Sequence, residues 1–295
     1  MADIQNEIGL DLEAFADDES DVIIEQTGQV LLMRQGVEHS FRLQMSEDGG
    51  YRVITEDGTC IPYRQYLARN LARLDVFAER LITKRAGVDA FIDGPAHADC
   101  SSLDSIDGTA LELLERECRD ISPFTARVVF LTADAGHGKT ALLREYQQRV
   151  AQRYLDGKSP FLFWHVDLQG RQLLRLSEAL MGDLGDLRLS GLWMPTIVRL
   201  IQKRLLVLAI DGFDELAAEQ GSTDALGALA LLVQQLNDQG VIVAASRRTF
   251  FDTEDYMKRT GMLKRSVATA CEFDQVHLRD WSQEEGIAFL GKFHW

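Results

Sequence analysis

Residues 133–140, A-D-A-G-H-G-K-T, constrain the fold of this chain more than any other feature. An apolar run at 128–131 precedes them, and a helical pattern begins at Ala141. A strand, a glycine-rich turn, Lys-Thr and a helix in this order predict a phosphate-binding loop, because consecutive backbone N–H groups and the helix N-terminus together surround phosphate oxygens. The nucleotide-binding residues predicted here are Ala133, Asp134, Ala135, Gly136, His137, Gly138, Lys139, Thr140 and Ala141.

Each polar or flexible position in this loop has a chemical reason. Lys139 can reach the β- and γ-phosphates as a point charge, and the Thr140 hydroxyl can ligate Mg²⁺. Gly136 and Gly138 permit positive φ and leave room for phosphate. The usual pattern is G-x-x-x-x-G-K-[ST], so Ala133 replaces its first glycine. Alanine is tolerated there if that residue has negative φ.

The residues after Pro123 read as alternating strands and helices. Predicted strands occupy 127–131, 161–166, 205–210, 241–245 and 273–278, with helical patterns between them, and most of these strands are continuous or nearly continuous apolar runs. Such runs are typical of parallel strands buried on both faces, and crossover helices must then cover both faces of the sheet. The sequence therefore predicts an α/β, three-layer domain.

Two further strands end in polar residues. Residues 205–216 read L-L-V-L-A-I-D-G-F-D-E-L, which places Asp211 at the carboxyl end of a strand, where ligands of open parallel sheets bind. We expect Asp211 to join Thr140 in holding Mg²⁺, and either Asp214 or Glu215 to polarise the attacking water. Residues 241–248 read V-I-V-A-A-S-R-R, so Arg247 or Arg248 is expected to sense the γ-phosphate.

These three motifs together resemble the nucleotide-binding domain of NACHT-type STAND P-loop NTPases, over about residues 120–295. The resemblance implies a parallel sheet of strand order 5-1-4-3-2 and ATP, ADP and Mg²⁺ as ligands. It assigns Lys139 and Thr140 to Walker A, and Asp211, Asp214 and Glu215 to Walker B. Arg247 becomes the sensor, with Asp214, Glu215 and Arg247 as the catalytic set. Arg248 departs from the family, which commonly has proline there.

The resemblance also implies a role. Family members act as slowly hydrolysing switches in innate immunity and, in bacteria, in defence against phage, and they self-associate on activation. The trigger ligand or partner protein cannot be read from the residues. The alternative is an AAA+ motor or loader that acts as an oligomer on nucleic acid or protein. A small-molecule kinase and an adaptor with a degenerate nucleotide site are less compatible with the motifs, since D-G-F-D-E argues against the kinase and intact Lys139, Thr140 and Asp211 argue against the adaptor.

The segments outside the α/β domain carry weaker signals. We expect residues 1–20 to form an acidic flexible tail, with a docking segment as the alternative, and 21–85 to form a small α+β module of a β-meander and a helix. Residues 86–122 read as a linker with a short helix. The NTPase domain is expected to cover 123–278. Residues 279–295 should begin a helical lid that the sequence cuts short.

Composition narrows the environment and partners. The net charge is −15, and the first 21 residues contribute eight acids and no lysine or arginine, so there is no overall basic character of the kind that nucleic-acid binders have. Whether nucleic acid is a partner stays open. Four widely spaced cysteines form no C-x-x-C pair, and His97-x-x-Cys100 alone is a weak zinc signal. No apolar run of 18 residues occurs, so a cytoplasmic protein with no membrane partner is expected.

Overall fold

A seven-stranded mixed sheet forms the centre of the chain in the computed structural model, which describes residues 2–47, 49–84, 91–100, 105–119, 125–168, 176–213, 222–248, 261 and 271–291. Five adjacent strands run parallel to one another, and two more are added at one edge through antiparallel pairing. Strands β1 to β5 belong to a smaller N-terminal sheet that is described below. The larger sheet contains β6 (Pro95–Asp99), β7 (Ile106–Thr109), β8 (Ala126–Ala133), β9 (Leu162–Asp167), β10 (Leu206–Asp211), β11 (Val241–Arg247) and β12 (Cys271–Leu278).

The spatial order of these strands is β7-β6-β12-β8-β11-β10-β9. Numbered along the chain, the five parallel strands therefore lie in the order 5-1-4-3-2. Strand β8, which leads into the phosphate-binding loop, lies near the middle of the sheet, and all eight of its residues are buried. This central position fixes the start of the loop firmly.

Helices cover both faces of the sheet. The helices that follow the sheet's strands are α4 (Ala110–Arg119), α5 (Lys139–Leu155), α6 (Leu176–Asp186), α7 (Met194–Gln202), α8 (Ser222–Gln235) and α9 (Gln283–Leu290). Alternate strand residues enter two hydrophobic clusters: Val129 and Leu131 pack with α4 and α5, whereas Val128 and Phe130 belong to the cluster that contains α6, α7 and α8. The arrangement is three-layered, as the apolar strand pattern predicts.

Two strands lie where the sequence suggested a linker. Strand β6 pairs antiparallel with β12, and β7 pairs with β6, so 95–99 and 106–109 extend the central sheet. Ala96 and Ala98 are buried, whereas the residues that alternate with them, Pro95, His97 and Asp99, are more exposed. The linker interpretation is wrong for these residues because short strands of small residues, flanked by Gly, Pro and Ser, give a turn-like local pattern. Helix α4 corresponds to the short helix expected in this region.

The N-terminal region contains an antiparallel meander of five strands. These are β1 (Val22–Ile24), β2 (Gln29–Arg34), β3 (Val37–Met45), β4 (Tyr51–Thr55) and β5 (Cys60–Pro62), paired in chain order. The helical part that follows is α2 (Tyr63–Gln65), a π-helical turn (Tyr66–Leu71) and α3 (Leu74–Thr83). Arg73 between them has φ of +50°, which breaks the single helix that the periodicity suggests. Phe77 of α3 packs edge-on against Trp164 of β9, with ring centroids 5.6 Å apart.

The first residues are helical rather than a flexible tail. Helix α1 (Ala2–Glu13) buries Ile8 and Leu12, and Phe15 and Ala16 just beyond it are also buried. Asp11 is fully buried, and its carboxylate contacts Arg199 of α7 and lies 3.1 Å from the Lys203 ammonium. The tail interpretation is therefore wrong for this segment, because the buried Asp11 finds cationic partners in α7 and in the residue that follows α7.

No helix in the ranges that the structure describes combines the length and the apolar character needed to cross a bilayer.

Candidate nucleotide site

The phosphate-binding loop connects the last residue of β8 to the first residue of α5. Gly136 and Gly138 both have φ of +85°, a conformation that strains any residue with a side chain, and Gly138 caps the N-terminus of α5. A methyl group built on either glycine meets no other atom within 4 Å. The loop thus leaves open space in front of its backbone and the helix N-terminus, which fits a bound phosphate group.

Lys139 and Thr140 lie at the start of α5, directed at the loop and at β10. The Lys139 ammonium donates to the carbonyl oxygens of Ala133 at 2.8 Å and Asp134 at 3.2 Å, so the side chain lies across the loop. The Thr140 hydroxyl interacts with Asp211 and helps to lower the pKa of that carboxyl. A hydroxyl and a carboxylate side by side are the oxygen ligands that Mg²⁺ prefers, so these residues fit the expected metal.

Asp211 is held by a histidine that the sequence analysis did not single out. The His165 Nε2 atom of β9 lies 3.2 Å from Asp211 Oδ2, and both side chains are less than 5% exposed. Burial acts to raise the pKa of Asp211, but His165, Thr140 and Lys139 together outweigh it and lower that pKa below its ordinary value. Asp211 is therefore kept as a carboxylate beside the loop.

Strand register brings the other predicted residues to the same edge. Arg247 is the partner of Ala133 across β11 and β8, and Asp211 is the partner of Ala245 across β10 and β11. The carboxyl ends of parallel strands form one edge of a sheet, so Arg247 and Asp211 end on the loop's side. Asp167, at the end of β9, is paired with Arg144 of α5 at 2.9 Å.

A cavity of about 520 Å³ lies beside the loop. The loop and α5 form one wall, the segment before β6 forms a second, and the segment after β12 forms a third. Phe91, Leu142, Leu278 and Trp281 make much of the lining apolar. An aromatic and aliphatic cavity next to a phosphate cradle fits the base and ribose of a nucleotide.

Comparison with known families settles which class of P-loop protein this is. The sequence model of the NACHT domain matches residues 127–294, which is more than half of the chain. The chain belongs to the NACHT domain family. NACHT domains are P-loop NTPases, so nucleotide binding and ATPase activity, typically with Mg²⁺, follow from membership.

Solved structures with a similar fold are more distant. Domain III of the replication initiation protein DnaA from Thermotoga maritima is 21% identical, with 62% of this chain and 65% of that one covered and a TM-score of 0.37. The Aeropyrum pernix ORC1 protein, solved in complex with DNA, is 17% identical over 61% and 46%, with a TM-score of 0.39. C. elegans PCH-2 is 11% identical, with 85% of this chain and 54% of that one covered and a TM-score of 0.31. The chain spans less than two thirds of each, and no curated protein matches it.

Part of the predicted NACHT site falls beyond what the structure describes. Asp214 and Glu215 lie outside the described residues. The described residue before them, Phe213, is fully buried. Gly212 before it has φ of +77°, which explains the glycine after Asp211. Arg247 is exposed at the end of β11, and Ser246 before it is buried.

Residues from the flanking segments join the NACHT site without any local motif. His137 Nε2 lies 2.6 Å from Asp280 Oδ1, and this hydrogen bond raises the pKa of His137. Trp281 packs closely on Gly94: a methyl group added to Gly94 would lie only 2.6 Å from the indole nitrogen. Phe91 had no signal except its aromatic character. His165 did have a sequence signal, because the pattern H-x-D at 165–167, in an otherwise apolar strand, places two polar side chains on one face.

The weak zinc signal has no support in the described part of the chain. No group of three or more His, Cys, Asp or Glu side chains there has the arrangement of a metal site. His97 contacts Asp107 and Asp99 through its two ring nitrogens, at 2.7 and 3.2 Å. Cys100 instead contacts Glu117 and Arg116.

Proposed function

We propose that this NACHT protein is a slowly hydrolysing ATP switch, with Mg-ATP and ADP favouring different arrangements of the chain. The observation that carries the proposal is the composition of the 520 Å³ cavity, whose walls come from the loop and from segments on both sides of the core strands. A nucleotide there contacts segments outside the central strands as well as the loop. A ligand shifts a conformational equilibrium only through such differential contacts.

Binding is assigned to the loop and its neighbours. The backbone N–H groups of residues 134–140 and Lys139 hold the phosphates, while Thr140 and Asp211 hold the metal, with Asp211 oriented by His165. Mg²⁺, when bound, offsets the charge of the β- and γ-phosphate oxygens. Phe91, Leu142 and Trp281 enclose the base and ribose and exclude water from them.

Hydrolysis is assigned to the residues beyond β10 and β11. Asp214 or Glu215, three and four residues after Asp211, accepts a proton from the attacking water. Arg247 offsets charge on the γ-phosphate. The support for Asp214 and Glu215 is their sequence position, and that for Arg247 is its register with the start of the loop. Asp214→Asn or Glu215→Gln is expected to slow hydrolysis by about 10²–10⁴-fold while ATP still binds.

The test is the steady-state ATPase rate of the full chain against its own concentration, with and without DNA. A switch gives slow turnover that changes little with either variable. A motor or loader of the AAA+ kind gives a rate that rises steeply as rings assemble or when DNA is added. The second result would replace the switch proposal while leaving the nucleotide site intact.

We also propose self-association on activation and a role in defence against phage, supported by resemblance to bacterial NACHT proteins. The test is plaque formation on a host that expresses the wild type or Lys139→Ala. Protection that requires Lys139 supports the defence role, and equal plaque counts for wild type, Lys139→Ala and empty vector count against it.

A further inference from the structure

A second cavity, of about 330 Å³, lies at the edge of the central sheet opposite the loop. Its floor is made by Phe161, which precedes β9, and by Leu206 and Val241, the first residues of β10 and β11. The loop follows the last residue of parallel strand β8, so the two cavities are at opposite ends of the strands. The second cavity is therefore separate from the nucleotide site.

Four basic side chains line this apolar floor. They come from different parts of the chain: Arg64 from α2, Arg119 from the end of α4, Lys158 from the turn after α5, and Arg204 from the turn before β10. Within the described ranges, no aspartate or glutamate lines the cavity. In a chain of net charge −15, such a concentration of cations runs against the average composition.

The two arginines in the middle of this group repel each other. The Arg64 guanidinium donates to the backbone carbonyl of Arg204 at 2.8 Å and has no carboxylate partner among the described residues. Burial lowers the pKa of Arg64, and the charge of Arg204 lowers it further. Burial and the charge of Arg127 likewise lower the pKa of Arg204. An anion in the cavity would relieve this repulsion.

A third arginine shows what a purely structural pairing looks like in the same region. Arg127 of β8 is buried, and its guanidinium forms ion pairs with Glu117, Glu272 and Asp274 at 2.9 to 3.2 Å. The other two cavity cations have one nearby carboxylate each: Arg119 pairs with Glu115, and Lys158 lies 3.4 Å from Asp156. Arg64, by contrast, has the Arg204 carbonyl oxygen as its hydrogen-bond acceptor among the described residues.

We propose that this cavity binds a small phosphorylated molecule. Guanidinium groups match phosphate oxygens in geometry, and Arg64 and Arg204 take the phosphate while Lys158 and Arg119 lie at its rim. The volume lies at the lower end of the range for small-molecule sites, and the acidic surface of the protein disfavours a long polyanion. Because Arg64 belongs to the N-terminal region, the ligand would bridge that region and the NACHT domain.

The test is calorimetric titration of inorganic pyrophosphate into the full-length Lys139→Ala protein, in which the loop has lost its cation. Pyrophosphate is expected to bind to the second cavity of this protein. Adding the two substitutions Arg64→Gln and Arg204→Gln to it should weaken that binding by about tenfold or more, since each removes a charged hydrogen bond. The matched pair Arg42→Gln with Arg80→Gln, exposed residues outside the cavity, changes net charge equally and should leave the affinity unchanged.

Lys158→Gln keeps the test informative if the arginine variants fail to fold, because this side chain is 72% exposed. It is expected to weaken pyrophosphate binding severalfold. Three results would each overturn the proposal. They are no binding of pyrophosphate to the Lys139→Ala protein, equal weakening of binding by the control pair, and tighter binding of a short oligothymidylate than of pyrophosphate. None of these results bears on the nucleotide site, since every arm uses a protein without Lys139.

Discussion

Gly138 shows at the scale of one residue how the loop is built. It has φ of +85°, so alanine costs about 1–2 kcal/mol in backbone strain and also projects a methyl group into the phosphate space. We expect Gly138→Ala to lower Mg-ATP affinity by about tenfold or more, measured by calorimetry. Gly182→Ala, in helix α6 with no atom near the new methyl group, is the control and should raise stability by about 0.5–1 kcal/mol. Equal ATP affinity in both variants would contradict the loop assignment.

His137 offers a pH-dependent readout at the same scale. Its hydrogen bond to Asp280 raises its pKa above the usual 6.5. The contact therefore stabilises the folded chain fully below about pH 6.5, and the contribution is lost as pH rises through the higher folded pKa. We expect the His137 pKa, followed by NMR, to fall towards 6.5 in Asp280→Asn. An unchanged pKa would show that the two side chains do not interact in solution.

Residues whose role depends on a local pattern could be predicted from the sequence. Lys139, Thr140 and Asp211 each stand at a fixed place in a strand-loop-helix or strand-end motif, and the structure brings all three together. The H-x-D pattern marks His165 as a polar residue of β9 but does not reveal its partner, because Asp211 is 46 residues further along the chain. Only the pairing of β9 with β10 makes them neighbours.

At the scale of elements, helix α1 gives a sharp comparison between two leucines. Leu12 is fully buried, whereas Leu10 is 48% exposed. Leu12→Ala is expected to lower the free energy of unfolding by about 2–5 kcal/mol, and Leu10→Ala should change it by no more than about 0.5. Urea denaturation of the two variants measures the difference. Equal, small effects would mean that the first residues do not dock on the rest of the chain.

The elements that sequence reasoning missed have a common physical cause. In α1, Ile8, Leu12 and Phe15 have helical spacing, but the acidic residues between them give the segment the composition of a solvated tail. The charge of Asp11 is offset by Arg199 and Lys203, which are about 190 residues away in the sequence. Strand β6 is likewise specified by its pairing with β12 and not by its own small residues.

At the scale of the whole molecule, the N-terminal region and the NACHT domain share one hydrophobic cluster. Phe77 and Trp164 are both fully buried at their contact. Phe77→Ala is expected to cost about 3–5 kcal/mol and to lower hydrogen-exchange protection in β3 and β8 together. Val37→Ala, at an exposed position of β3, should change neither strand. Loss of protection confined to β3 would indicate two units that unfold independently.

The most direct test of the central claim is Mg-ATP binding and single-turnover hydrolysis by the full chain and two lysine variants. The wild type should bind Mg-ATP and convert it slowly to ADP. Lys139→Ala should bind at least about tenfold more weakly, because it removes the cation that reaches the β- and γ-phosphates. Lys84→Ala, at an exposed lysine that lines neither cavity, should match the wild type. Wild-type ATP affinity in a folded Lys139→Ala protein would contradict the assignment of the nucleotide site.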